Sequence, residues 1–143
     1  MREIKFRAWN GEKMIYRCGI CYSHGHWEVF GPHDYEAGRR LGVLNSKRFP
    51  NLVLMQYTGL KDKNGKEIYE GDIVIVRGEG IRPKIYTVEW LDTYGGFAFL
   101  DDEKAIPACE VPVLFCEVLG NIYENPELVK KFIEVKLHKD NEK

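Results

Sequence analysis

Apolar and polar side chains alternate at the start of the chain. One side of the segment from residue 4 to residue 9 carries Ile4, Phe6 and Ala8, and the other carries Lys5, Arg7 and Trp9. This period of two is typical of a half-buried β-strand. Asn10-Gly11 follows, and this pair favours a tight hairpin because both residues tolerate positive φ. We therefore predict a β-hairpin over residues 3–17.

Short apolar runs separated by turn residues fill the chain from residue 52 onward. The runs that predict β-strands are residues 52–57, 67–69, 73–77, 84–90, 97–100 and 113–119. Asn64-Gly65 and Glu70-Gly71-Asp72 indicate turns between them. Only at the end does the spacing become helical, where Asn125 and Pro126 suit the cap and first position of an α-helix. About eight short strands without crossover helices favour an antiparallel barrel or sandwich.

The stretch from residue 18 to residue 50 is dense in residues that break regular structure. Glycines recur through it, although residues 27–30 fit a strand and residues 35–41 fit a short helix capped by Asp34. We therefore divide the chain into an N-terminal hairpin and loop-rich region, residues 1–50, and a β-rich domain with the terminal helix, residues 51–143. One continuous domain over residues 1–143 is the alternative.

Composition and charge limit the partners and the location that we expect. The chain has 143 residues, of which 44% are hydrophobic and 30% charged, the balance of an ordinary globular protein. Residues 1–50 hold nine Lys/Arg against five Asp/Glu, so this third is mildly basic, but the whole chain has a net charge of −1. There is no apolar span long enough for a membrane helix and no signal-peptide pattern, so we expect a cytoplasmic protein with reduced cysteines and no membrane partner.

Three stretches of the sequence resemble one known family. They are QYTGLKDKNGKEIYEGD at residues 56–72, IKFRAW at residues 4–9 and GNIYENP at residues 120–126. They are similar to the YopX family, small proteins encoded largely by bacteriophages, prophages and other mobile elements of bacteria. The resemblance implies a β-rich protein with an SH3-like barrel in its C-terminal part. It implies no established activity, and no catalytic residue is carried over.

Two groups of residues offer metal-binding chemistry, but a structural interpretation fits each better. Cys18, Cys21, His24 and His26 have the ligand types of a zinc site. All four lie within nine residues, however, whereas zinc fingers separate their ligand pairs by about a dozen residues. The acidic run at residues 101–103 fits a solvated turn better than a cation site. We predict no metal, no cofactor and no catalytic residue.

Without a reactive constellation, the sequence favours a non-enzymatic protein that acts through contacts. Three Trp, eight Tyr and seven Phe are more aromatics than a small core needs, and aromatics are favoured at interface centres. We expect a homo-oligomer or a protein partner. The alternative is a nucleic-acid-binding regulatory module, because a basic and aromatic barrel surface binds nucleic acid in many proteins. The candidate interaction surface for either consists of Lys5, Arg7, Trp9, Arg39 and Arg40.

Overall fold

A computed structural model describes residues 2–32, 35–36, 39–40 and 50–129 of the chain. It divides into two units, Met1–Tyr57 and Thr58–Lys143. More than half of the described residues lie in β-strands, and these pair antiparallel, which confirms the predicted mainly β fold. Their helical residues form no segment with the length and apolarity that a membrane-spanning helix requires.

The first unit is organised around the predicted N-terminal hairpin. Its strands are β1 (Phe6–Trp9), β2 (Met14–Ser23), β3 (His26–Phe30), β4 (Tyr35–Glu36), β5 (Arg39–Arg40) and the start of β6 (Val53–Lys61). β1 lies between β2 and β6 and pairs antiparallel with both. The hairpin therefore turns at Asn10-Gly11, as predicted.

A β-bulge at Arg17 adjusts this sheet. Phe6 pairs with Cys18 and Arg7 pairs with Tyr16, which leaves Arg17 as the extra residue with a φ of 58°. Such an insertion bends the strand and increases its twist. The bulge keeps Ala8, Cys18 and Val29 on one face, where they form the small core of this unit.

The predicted short helix over residues 35–41 is wrong. Tyr35 pairs with Arg40 and Glu36 pairs with Arg39 as two antiparallel strands. Nucleation of so short a helix is unfavourable, and Gly38 would destabilise it by about 1 kcal/mol relative to Ala. The proposed cap, Asp34, lies outside the described residues.

The second unit contains the larger sheet. After the rest of β6 come β7 (Glu67–Tyr69), β8 (Asp72–Gly78), β9 (Ile81–Leu91), β10 (Gly96–Leu100), β11 (Ala105–Pro107) and β12 (Cys116–Asn121). Five of them form a sheet in the order β11-β10-β9-β8-β12. β11 was not predicted. Residues 113–115, predicted as the start of a strand, are instead a single 3-10 turn after Pro112.

The core of the second unit lies on one face of this sheet. Alternate residues along each strand supply it, namely Val74, Val76, Tyr86, Val88, Phe99 and Cys116 with Ile68 and Val111. β11 and β12 stand at the two edges of the five-stranded order, so closure into an SH3-like barrel is not seen in the described part of the chain. Residues 126–129 are helical, as predicted for the start of the terminal helix, and its continuation lies outside the described residues.

Candidate functional site

The most distinctive string of the sequence, residues 56–72, is organised by the buried carboxylate of Asp62. Its Oδ1 accepts hydrogen bonds from the N–H groups of Asn64 and Lys66, at 2.8 and 2.9 Å. Its Oδ2 accepts the Val118 N–H of β12 at 2.9 Å. Burial alone would raise the pKa of Asp62, but the N–H groups of Val118, Lys66 and Asn64 outweigh it and hold the pKa below 3.8. Asp62 is therefore an ionised structural anchor.

The neighbouring backbone completes this connection to β12. The Lys63 N–H donates to the Cys116 carbonyl at 2.9 Å. The Lys63 ammonium lies 3.2 Å from Glu117 Oε2, which also pairs with Arg77 at 3.0 Å. The outer edge of β12 is thus occupied by the segment around Asp62 and Lys63.

Two further polar side chains of the string also bind backbone. The Thr58 hydroxyl donates to the Ile68 carbonyl at 2.7 Å, and the Asp72 carboxylate accepts the Tyr69 N–H at 2.8 Å. Gly71, with a φ of 83°, donates its N–H to the Val88 carbonyl and accepts from Ile122. A positive φ favours glycine at this turn. These side chains hold turns in place.

In the closing GNIYENP stretch, polar side chains again bind backbone N–H groups. Asn121, which is 4% exposed, accepts the N–H groups of Tyr123 and Glu124 through its Oδ1 and donates to the Glu124 carboxylate. The Asn125 side chain accepts the Asn121 N–H. A Cβ at Gly120 would collide with that Asn125 side chain, so any other residue here would have to displace Asn125. This motif fixes the chain path into the terminal helix.

The four candidate zinc ligands are not brought together. Cys18 and Cys21 lie three residues apart on β2 and therefore point to opposite faces of the sheet. The Cys18 thiol lies 3.3 Å from the Ile15 carbonyl, while His24 contacts Ser23 and His26 lies 3.5 Å from Glu28. Among the residues that the structure describes, no three His, Cys, Asp or Glu side chains are arranged to hold a metal ion.

Cys116 is a poor nucleophile in this setting. It is fully buried, and burial together with the nearby Asp62 carboxylate raises its pKa to about 11. The reactive form of cysteine is the thiolate, which a raised pKa disfavours near neutral pH. Cys116 is thus a core residue.

The acidic run at residues 101–103 is a turn. Asp101 Oδ1 accepts the N–H groups of Glu103 and Lys104 at 2.8 Å each, and its Oδ2 lies 3.4 Å from the Lys84 ammonium. The carboxylate therefore closes the connection between β10 and β11. This is the structural role that the sequence favoured.

The predicted basic and aromatic surface is not uniform. Lys5 is exposed, pairs with Glu3 at 2.7 Å and lies 5.6 Å from the centre of the Tyr57 ring. Arg7 is only 3% exposed, with its guanidinium 5.9 Å from the Tyr16 ring, and Trp9 is half-buried. The backbones of Arg39 and Arg40 lie in β5, and nothing in the described structure places their side chains.

A different surface in the first unit is exposed and apolar. Ile20, Tyr22 and Trp27, which we call the hairpin patch, are 36%, 61% and 59% exposed. Tyr22 pairs with Trp27 across β2 and β3, and their rings meet edge to face with centroids 5.4 Å apart. Sequence reasoning missed this patch. The sequence feature that could have revealed it is the spacing of Ile20 and Tyr22, which places both side chains on one face of the strand.

The hairpin patch is also nearly free of charge. Residues 18–27 contain no Lys, Arg, Asp or Glu, and Glu28 is only 7% exposed. Polar contact at the tip comes from Ser23, whose hydroxyl lies 2.7 Å from His24 Nδ1. The arrangement suits the burial of aromatic surface against another apolar surface.

A family model and two solved structures match almost the whole chain. A family model described as YopX protein matches residues 5–130. Protein EF1440 from Enterococcus faecalis is a solved structure with 30% sequence identity, a TM-score of 0.57, and coverage of 90% of this chain and 99% of that one. Protein yopX from Bacillus subtilis has 24% identity, a TM-score of 0.63, and coverage of 87% and 96%. No curated protein matches.

Proposed function

Because this chain belongs to the YopX family, a family of uncharacterised function, we propose that it is a non-enzymatic accessory protein of a phage or prophage that acts through protein–protein contacts. The observation that carries the proposal is the hairpin patch. Tyr22 and Trp27 leave about three fifths of their surface exposed. Exposed apolar clusters of this kind mark interaction surfaces on small proteins, and aromatics dominate the binding energy of interfaces.

A second copy of this chain is the partner that the patch fits best. Residues 18–27 contain no Lys, Arg, Asp or Glu, so two copies of this segment meet without charge repulsion from it, whereas a strongly charged partner gains nothing from it. Two copies related by a two-fold axis would bury Tyr22 and Trp27 of one chain against the same residues of the other. Two-fold symmetry is the commonest arrangement of homo-oligomers.

A non-enzymatic role is supported by how the polar groups are used. Asp62, Asp72 and Asn121 are the buried polar residues of the two motifs in the second unit, and each binds backbone N–H groups. The buried thiol of Cys116 is protonated near neutral pH. A nucleophile, a base and an orienting group would have to meet elsewhere for catalysis.

Light scattering coupled to size-exclusion chromatography tests this proposal. We expect the wild-type chain to form a concentration-dependent dimer and Tyr22→Ser with Trp27→Ser to be monomeric. Trp90→Ser is the matched control, because Trp90 is also an exposed tryptophan, at 47%, but lies on β9. A wild-type chain that stays monomeric at every concentration, or a control that dissociates equally, contradicts self-association through the patch.

Nucleic-acid binding receives less support from the same geometry. Arg7 is buried, so the first hairpin presents fewer cations than its alternation suggested. Phosphate contacts supply most of non-specific nucleic-acid affinity. The proposal therefore rests on the hairpin patch, and retention of the wild-type chain on DNA at low salt would count against it.

A further inference from the structure

The chain contains two Asn-Gly pairs, and the structure treats them differently. Asn10-Gly11 joins β1 to β2, and Asn64-Gly65 joins β6 to β7. Both glycines have positive φ, 100° and 79°, and neither has another atom within 4 Å of where a side chain would begin. Both glycines are also exposed, and the hydrogen bonds distinguish the two sites.

At the first pair, the side-chain carbonyl is held by two donors. Asn10 Oδ1 accepts the N–H groups of Glu12 and Lys13, each at 2.9 Å. Hydrogen bonds to a carbonyl oxygen polarise it and stabilise the negative charge that develops there when a nucleophile adds. Within the described residues, no acceptor is found for the Gly11 N–H.

At the second pair, the backbone N–H of the glycine is hydrogen-bonded instead. The Gly65 N–H donates to the Asp62 carbonyl at 3.0 Å, and the Asn64 N–H donates to the Asp62 carboxylate at 2.8 Å. Loss of the Gly65 proton would break a bond of this turn. The Asp62 network thus opposes attack of the Gly65 nitrogen on the side-chain carbonyl carbon of Asn64.

From this contrast we propose that Asn10 is a site of spontaneous deamidation in the folded protein, and that Asn64 is a protected one. The Gly11 nitrogen loses its proton and forms a bond to Asn10 Cγ, giving an oxyanion at Oδ1. The bond from Cγ to Nδ2 then breaks, Nδ2 leaves as ammonia after taking up a proton, and a succinimide ring remains. Water opens the ring to aspartate or isoaspartate, so one water is consumed and one ammonia released.

The product changes the turn that closes the first hairpin. Either product adds a negative charge at position 10, and isoaspartate also lengthens the backbone by one carbon. The two bonds from Glu12 and Lys13 depend on the position of Oδ1. Deamidation therefore acts on the turn that joins β1 to β2.

Peptide mass spectrometry of the intact wild-type chain, incubated at mildly alkaline pH, tests the proposal. We expect aspartate and isoaspartate to accumulate at position 10 about tenfold faster than at position 64, a rate ratio that corresponds to roughly 1.4 kcal/mol. Incubation in denaturant is the control, because unfolding removes both sets of hydrogen bonds. There the two rates should come within about a factor of three, since the dipeptides are identical.

Two outcomes overturn the proposal. One is equal or faster reaction at position 64 in the folded chain. The other is deamidation of Asn10 in denaturant but not in the folded chain, which would mean that the turn protects Asn10. As a second variant, Asp62→Asn keeps the side-chain size at position 62 but weakens its network, and it should raise the rate at position 64 while leaving the rate at position 10 unchanged.

Discussion

The two units of the molecule differ in the size of their buried cores and in how their buried polar residues are used. In the second unit, buried polar side chains such as Asp62 and Asn121 each bind two or more backbone N–H groups, and a larger set of apolar residues forms one core, although Trp90 stays exposed. In the first unit, the core is small and large apolar side chains such as Tyr22 and Trp27 remain exposed. The motif residues of the second unit thus fix backbone geometry, and the hairpin patch lies outside them.

Truncation of a core aromatic in the second unit should have the largest effect on stability. Phe99 is fully buried, with its ring centre 6.4 Å from that of Tyr86. We expect Phe99→Ala to lower the free energy of unfolding by about 4 kcal/mol, because it removes buried surface and leaves a cavity. Chemical denaturation followed by circular dichroism measures this, and a loss below 1 kcal/mol would show that the core is not packed as described.

Removal of the Asp62 carboxylate should be nearly as costly. Asp62→Ala leaves three backbone N–H groups without their acceptor, and we expect a loss of about 3 kcal/mol. Asp101→Ala is the matched control, because Asp101 accepts two N–H groups only within its own turn, and about 1 kcal/mol is expected there. Equal losses in the two variants would contradict the role of Asp62 as a link to β12.

The same carboxylate should make stability fall in acid. The folded pKa of Asp62 is lowered from 3.8, so its contribution is fully present above the unfolded pKa and disappears as pH falls through the folded pKa. We expect the thermal midpoint of the wild-type chain to decrease below about pH 4. Asp62→Asn should show a weaker decrease, since it has no charge to lose at this position, and identical pH profiles would refute the assignment.

Truncation of the hairpin patch should have the smallest effect. Trp27→Ser removes an exposed side chain and one edge-to-face contact with Tyr22. We expect the free energy of unfolding to change by less than about 1 kcal/mol. Thermal denaturation under monomeric conditions measures this, and a loss as large as that of Phe99→Ala would mean that Trp27 is a core residue.

Local turn chemistry explains most of what the sequence predicted correctly. The Asn10-Gly11 hairpin, the turn at Gly71 and the start of the terminal helix each depend on a few adjacent residues, and all three are observed. The family resemblance is confirmed as well. β11 was missed because its three residues follow an acidic turn and include Pro107, which disfavours a strand.

The candidate site was harder to predict, because the alternation of apolar and polar residues does not show which face of each strand is buried. Arg7 lies on the polar side of β1 by its spacing, yet it is buried. Ile20 and Tyr22 lie on the same side of β2 as the buried Cys18 and yet are exposed. Both outcomes depend on where the ends of the strands lie and on what packs over each face, which are properties of the tertiary structure.

The sealed outer edge of β12 has a consequence for the chain at high concentration. Exposed strand edges recruit further strands, and stacking of this kind leads to fibrils. At β12 the Asp62 carboxylate and the Lys63 N–H already occupy the Val118 N–H and the Cys116 carbonyl. A strand from another molecule cannot bind those two groups without first displacing this segment, which opposes amyloid-like growth at this part of the edge.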